Sequence, residues 1–294
     1  MTSDLLSPRG VSGMYGSDFE AASDFVWFAP APDANKYSRG KLVVVAGSSR
    51  YPGAAVLAAR ASQRMGAGYT EVVTAEEAVE IVRLSSPSLV VRPFSSWDVA
   101  IDSPEAREGR PCAICMGPGF VPGARRSDEL ALRVLKNARC PVLVDGGALT
   151  SIGTAKGVKR LQKRAKSGFP TVITPHGGEA ARLASALGVD ATAPDLAHAL
   201  NAIVVLKGPD TYISDGDRTA LMCEGTAALA KAGTGDVLAG MIAALLAQGI
   251  DPFDAAVTGA TVHARAGIAA AERFTSVSVV AEDLIDAIPA ALVL

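Results

Sequence analysis

At 294 residues the chain has the length of two average domains or of one large α/β domain. Hydrophobic residues at 49 % and charged residues at 20 % exclude a disordered chain, because disorder needs fewer apolar side chains and a larger net charge. A formal charge of −2, with no Lys/Arg run long enough to follow a phosphate backbone, argues against a nucleic-acid partner.

Residues 1–35 mix Ser, Asp, Gly and Pro without a sustained period and read as a loosely ordered arm, its end pinned by Trp27 and Phe28. The arm lacks the apolar core of a signal peptide, so the expected location is cytoplasmic. From Leu42 to Ala46 the chain is continuously apolar, as in strands buried on both faces. Gly47 to Gly53 then form a turn, and Ala54 to Met65 an Ala-rich helix closed by Gly66 and Gly68. The unit repeats: Thr70–Thr74 before the helical 76–84, Ala113–Met116 before 125–138, Val142–Asp145 before 158–165, Thr171–Thr174 before 179–187, then Ile203–Leu206. Alternation of this kind predicts one body over 36–294 with a mainly parallel sheet covered by helices on both faces. Asp215-Gly216-Asp217 between Thr211–Ser214 and Thr219–Met222 is a hairpin signal, placing antiparallel strands at one edge.

Helices follow at 236–246, at 252–274 either continuous or with a break, and at 281–288. The most apolar run, Val237 to Ala247, is far shorter than the roughly 20 residues that span a bilayer, so no membrane role is expected. The basic stretch Lys156, Lys159, Arg160, Lys163, Arg164 and Lys166 fits a solvated helix face. Cys112, Cys115, Cys140 and Cys223 are too scattered for a disulfide framework, and the Cys112/Cys115 pair reads as small core residues of a strand.

The strongest chemical signal is Gly233-Thr234-Gly235-Asp236 opening an apolar helix. The helix's free amides form an anion site, and glycines let the backbone approach a phosphoryl group. A carboxylate there makes sense if Asp236 takes a proton from an attacking hydroxyl while the amides stabilise the transferring group. An ordinary first-turn acid favoured by the helix dipole is the alternative, and three further motifs weigh against it. Val204-Val-Leu-Lys207-Gly208 places a cation at a strand end, where it could hold phosphates or be a solvated lysine. Thr174-Pro-His176-Gly-Gly-Glu179 places His176 to meet a substrate, or Glu179 to support its helix. Met116-Gly-Pro-Gly119 is another strand end where glycine allows close approach. These turns, each read as following a strand, would gather along one sheet edge, where ligands bind in open parallel sheets. His198 and His263 read as structural, and no metal-site spacing occurs. Gly47–Gly53 fits neither a dinucleotide fingerprint nor a Walker loop.

In this order the motifs resemble the ADP- or ATP-dependent NAD(P)H-hydrate dehydratases of the ribokinase-like superfamily. The resemblance covers about Lys36 to Pro289 and rests on Ala46-Gly-Ser48 with Pro52-Gly-Ala54, Gly66-Ala-Gly68, Gly117-Pro-Gly119, Asp145-Gly-Gly-Ala-Leu149, Thr174 to Glu179, Leu206-Lys-Gly208 and Ala228 to Val237. It implies a three-layer α/β/α sandwich and repair of a nicotinamide cofactor whose ring has taken up water. ADP, preferred to ATP, is converted to AMP and phosphate with Mg²⁺ present. Carried over by motif, Ala54, Gly119, His176 and Asp236 line the hydrate pocket, with Asp236 as the proton acceptor. Lys207, Gly208, Pro209, Asp210, Thr211, Gly233, Thr234 and Gly235 bind the nucleotide. The resemblance also implies a homo-oligomer, a tetramer being one form, and an epimerase on a separate chain. The chain departs from commoner family forms at Gly146, Gly147 and Gly177.

Two other readings stand beside this one: a kinase of a small vitamin-precursor alcohol, and a nucleotide-binding protein without catalysis. Stable phosphorylated alcohol among the products would identify the first. The intact Asp236 turn argues against the second.

Overall fold

The computed structural model describes residues 20–21, as backbone, and residues 30–292. Trp27, Phe28 and most of the proposed arm lie outside the described residues. The strands are β1 (Glu20–Ala21), β2 (Lys41–Val45), β3 (Tyr69–Thr74), β4 (Val90–Pro93), β5 (Cys112–Met116), β6 (Val142–Val144), β7 (Thr171–Ile173), β8 (Ile203–Leu206), β9 (Thr211–Ser214) and β10 (Thr219–Met222). They form one sheet in the order β1-β10-β9-β8-β7-β6-β5-β2-β3-β4. All pairings are parallel except those of β9 with β8 and with β10, so the expected antiparallel strands are present. Beyond them β1 pairs in parallel with β10, Glu20 opposite Ala220, which the aperiodic arm did not suggest.

The continuous apolar run in β2 is explained by burial on both faces. Leu42, Val44 and Ala46 enter one core, shared with the Pro52–Arg64, Thr234–Ala247 and Pro252–Phe274 helices. Val43 and Val45 enter a second core, shared with the Arg125–Asn137, Gly177–Leu187 and Ala193–Leu200 helices. The result is the expected helix–sheet–helix sandwich. Cys112, Cys115 and Cys140 are buried in it as free thiols.

Three expectations need correction, and one left open is settled. β4 went unread because it is short and ends in Pro93, which cannot donate to a ladder. The helix read as 158–165 runs Ala155–Lys166, since the Thr154 hydroxyl accepts the Gly157 N–H at 3.1 Å and caps it earlier. The 252–274 helix is unbroken. Its Gly259 allows close approach to a neighbouring helix, where a Cβ would come 2.5 Å from Ile242 Cγ1. Arg164 leaves the solvated basic face and is buried, donating to the carbonyls of Ala138 and Cys140, both at 2.7 Å, and to Thr171 Oγ1 at 3.1 Å. Burial lowers its pKa to about 10. It ties the strand-entry loops of β6 and β7, so Arg164→Ala should leave those carbonyls unsatisfied and destabilise the fold by about 2–4 kcal/mol, measurable by denaturant unfolding.

Among the described residues no helix is long and apolar enough to cross a membrane.

Candidate active site

The carboxyl ends of β5 to β8 share one edge, and the residues that follow them meet there. Lys207 prolongs β8 by a parallel bridge to His176, its N–H donating to the Pro175 carbonyl at 2.9 Å. Its ammonium donates to Asp145 Oδ1 at 2.9 Å, and the same oxygen accepts the Thr174 hydroxyl at 2.6 Å. Burial pushes the Lys207 pKa down, but the charge of Asp145 and its hydrogen bond, then Glu179 and Asp236, outweigh that and hold it above the usual lysine value. The cation therefore stays charged.

Asp236 lies in the first turn of the Thr234–Ala247 helix, whose N-cap, Gly233, has φ +93° and provides no side-chain cap. The Thr234 and Val237 amides donate to the carbonyls of Lys231 and Gly233 at 3.5 and 3.1 Å, which leaves the amides of Gly235 and Asp236 for a ligand. Burial and the nearby negative charge of Asp145 raise the Asp236 pKa to about 7, against the lowering effect of Lys207. A Cβ built on Gly235 would lie 3.4 Å from Lys207 Nζ, so the turn and the lysine are neighbours. The turn is held from behind: the Thr234 hydroxyl donates to the carbonyls of Leu229 and Lys231 at 2.8 and 2.9 Å. His263 Nε2 meets the Thr234 carbonyl at 3.0 Å. A carbonyl only accepts, so Nε2 carries the proton. Burial first, and then Lys207, depress the His263 pKa to about 4, which keeps the ring neutral.

The loops after β2 and β5 close on each other. Ser48 Oγ donates to the Gly119 carbonyl at 2.7 Å, and the Gly47 N–H to the Pro118 carbonyl at 2.8 Å. Gly119 has φ +69°, and a Cβ there would stand 2.6 Å from the Tyr51 oxygen and 2.8 Å from Ala54 Cβ. Ala54 and Gly119 are therefore in contact. One turn after Ala54, Leu57 reaches the Asp236 turn, its Cδ1 lying 2.7 Å from a Cβ built on Gly233. Gly119→Ala should lower the melting temperature by roughly 2–10 °C, because it adds both overlap and backbone strain.

His176 caps the Gly177–Leu187 helix. Its Nδ1 accepts the Gly178 N–H at 3.0 Å while its own N–H donates to Glu179 Oε2 at 2.9 Å. The cap occupies Nδ1, and Nε2 lies 3.6 Å from Glu179 Oε2. Glu179 supports the helix as one reading of this motif has it, and the His176 side chain is 57 % exposed.

The predicted residues thus fall into two joined groups, His176, Lys207, Gly235 and Asp236 on one side and Ala54 and Gly119 on the other. Gly208 to Asp210 form the β8–β9 loop, and Thr211 opens β9 with its hydroxyl 3.5 Å from the Gly208 carbonyl. One expectation is corrected: the Asp236 turn does not follow a strand directly, because a 3₁₀ turn at Ala227–Leu229 separates it from β10. The sequence reading gave no role to Asp145 or Thr174. The available signal was a carboxylate closing the buried run Val142–Val144. Among the described residues no cluster of His, Cys, Asp and Glu could cage a metal ion.

The sequence profile of NAD(P)H-hydrate dehydratases matches residues 42–290. The chain belongs to the NAD(P)H-hydrate dehydratase family. It is 32 % identical over 282 residues to the ADP-dependent (S)-NAD(P)H-hydrate dehydratase of Xanthomonas campestris, covering 90 % of this chain and 91 % of that protein. It is 39 % identical over 256 residues to the bifunctional NAD(P)H-hydrate repair enzyme of Mycobacterium tuberculosis, covering 85 % of this chain but 49 % of that one. The chain thus spans nearly the whole Xanthomonas protein and about half of the bifunctional relative. The crystal structure of the Bacillus subtilis ADP/ATP-dependent NAD(P)H-hydrate dehydratase, co-crystallised with ATP and Mg²⁺, superposes with a TM-score of 0.71 at 30 % identity, over 90 % of this chain and 92 % of that one. An Enterococcus faecalis protein of the ribokinase-like superfamily, at 24 % identity and TM-score 0.71 over 90 % of each chain, shares the fold. Both solved structures share the helix–sheet–helix sandwich described above.

Proposed function

We propose that this member of the family dehydrates the (S)-hydrate of NADH or NADPH with consumption of ADP, a cofactor-repair reaction in which Asp236 is the proton acceptor. The observation that carries the proposal is a carboxyl of pKa about 7 at an uncapped helix N-terminus beside a charged lysine. A base poised near neutrality is half ionised there and can both take and return a proton.

The 6-hydroxyl of the hydrate gives its proton to Asp236 as its oxygen attacks the β-phosphorus of ADP. The bond from that phosphorus to the bridging oxygen breaks, and AMP departs. The amides of the Asp236 turn and the Lys207 ammonium offset the charge on the transferring group. The C6–O bond of the phosphorylated hydrate then breaks, phosphate leaves with the electron pair, and the ring nitrogen's lone pair fills the gap. The departing phosphate takes a proton from C5, which restores the dihydronicotinamide. Ala54, Gly119 and His176 hold the hydrate in this reading. Lys207 to Thr211, with Gly233, Thr234 and Gly235, hold the nucleotide.

The donor set fits Mg²⁺ carried in on the diphosphate, since that ion keeps waters and phosphate oxygens and needs few carboxylates. Asp145, whose Oδ1 takes the bonds from Lys207 and Thr174, would hold it through Oδ2. When bound it supplies neutralisation of phosphoryl charge. A protein acting on one epimer of the hydrate reaches the other after epimerisation, which we assign to a separate active site.

The test is to supply purified protein with NADH hydrate, Mg²⁺ and either ADP or ATP. The absorbance of the reduced nicotinamide should return, and faster with ADP. A stable phosphorylated hydrate without recovered absorbance would replace the dehydratase with a kinase.

A further inference from the structure

Cys112 and Cys115 are the thiols that the sequence sets closest together, but the strand separates them. Their odd spacing turns the side chains to opposite faces of the sheet, Cys112 into the second core and Cys115 into the first. Cys112 has another neighbour. Ile114 of β5 lies opposite Val142 of β6, and the ladder continues backwards through the bond from the Ile114 N–H to the Pro141 carbonyl at 3.0 Å. Two residues before that pair stand Cys112 and Cys140, on the same face and in the same core as Ile114 and Val142. Neighbouring strands run about 4.8 Å apart, inside the roughly 4.4–6.8 Å that a disulfide spans between Cα atoms. The thiols already touch, the Cys140 S–H donating to the Cys112 sulfur. We infer that Cys112 and Cys140 are an oxidisable pair, which a hydroperoxide converts to a disulfide across the amino ends of β5 and β6.

The surroundings divide the roles. Cys112 lines a cavity of about 580 Å³, which gives a small peroxide a route to its sulfur. Lys41, Arg107, Arg110 and Arg139 line the same cavity, together with Glu105. The hydrogen bond from Cys140 lowers the pKa of the Cys112 thiol, and Lys41, its partner residue on β2, lowers it further. These outweigh burial and Glu105, which raise it. The thiolate is the nucleophile, so Cys112 reacts first. Its hydrogen bond to Cys112 and then burial push the Cys140 thiol well above the usual value, so that group keeps its proton. The Cys112 sulfur attacks one peroxide oxygen, the O–O bond breaks, and the other oxygen leaves as water or an alcohol with the proton that Cys112 gave up. Cys112 is then a sulfenic acid. The Cys140 sulfur attacks the Cys112 sulfur, the S–O bond breaks, and the hydroxide takes the Cys140 proton and leaves as water. Two thiols are oxidised and one peroxide is reduced. Arg164, donating to the Cys140 carbonyl at 2.7 Å, holds the second sulfur in place. The new bond joins the entries of β5 and β6, whereas Gly119 and Asp145 follow their carboxyl ends, so oxidation tightens the sheet and leaves the ligand edge unchanged.

The test treats the reduced, folded full chain with hydrogen peroxide, removes the excess with catalase, and alkylates the remaining thiols in denaturant before peptide mapping by mass spectrometry. The map should show Cys112 joined to Cys140 and Cys115 still alkylated. The oxidised protein should melt roughly 5–10 °C higher than the reduced one, because the bond restricts the unfolded chain. In Cys140→Ser, oxidation should stop at the Cys112 sulfenic acid, which dimedone traps. In Cys112→Ser, Cys140 should stay reduced. Cys223 is exposed and reports that the peroxide has acted. Cys112 and Cys140 both alkylated at a peroxide concentration that oxidises Cys223 would overturn the inference. A bond that includes Cys115, a Cys112–Cys140 bond that forms only in denaturant, or a lower melting temperature after oxidation would overturn it as well.

Discussion

Asp236→Asn should lower kcat for hydrate dehydration by about 10²–10⁴-fold while ADP still binds, because the amide keeps the shape of the turn and loses the proton acceptor. The same substitution should stabilise the protein. The folded-state pKa of about 7 lies above the ordinary 3.8, so the folded chain holds this proton more tightly than the unfolded one. Stability therefore falls as pH rises through that window, and above it the ionised carboxylate carries the full cost. After allowance for its partial exposure, the gain in the Asn variant should be on the order of 1–3 kcal/mol at about pH 8 and near zero at about pH 4. His263 gives the opposite slope. Its folded pKa of about 4 is below the usual 6.5, so its contribution is full above the upper value and is lost as pH falls toward the lower one. The two slopes oppose each other in the parent protein, so the Asn variant should lose stability more steeply in acid. Chemical denaturation at several pH values measures both effects.

Lys207→Met should be the second severe change. It leaves Asp145, 3 % exposed, as a buried carboxylate without a counter-charge, and removing one partner of such a pair costs about 3–5 kcal/mol. Lys207 itself retains 20 % side-chain exposure, which places the expected loss toward the lower end. Nucleotide binding should weaken as well, since the proposed phosphate cation is gone. Because Lys207 holds the Asp236 pKa down, its removal should also move the acid limb of the residual activity to higher pH. Adding Asp145→Asn should recover most of the stability without the activity, because neither buried charge then lacks its partner.

The parts of this molecule legible in its sequence are those set by local pattern. β2 carries the apolar run Leu42 to Val45 that burial on both faces demands, and Gly216, at φ +104°, makes the β9–β10 hairpin its sequence announces. The place of Asp236 in the first turn of a buried helix was legible because Gly233 and Gly235 precede a long apolar run. Asp145 was not, because its role depends on β6, β7 and β8 lying side by side, so that residues 62 apart in the chain come within 2.9 Å. Arg164 was misplaced for a related reason. Spacing set it among exposed lysines, and the carbonyls it satisfies belong to loops 24 and 26 residues away. The Asp236 pKa was also beyond sequence, since it follows from burial and from the distant Asp145.

The most direct measurement of the central claim is kcat/KM for NADH hydrate as a function of pH at saturating ADP. The profile should rise with pH and level off through an apparent pKa at or above the value of about 7 that Asp236 has without ligand, because bound ADP adds negative charge beside it. A rate already level between about pH 5 and pH 8 would contradict Asp236 as the base.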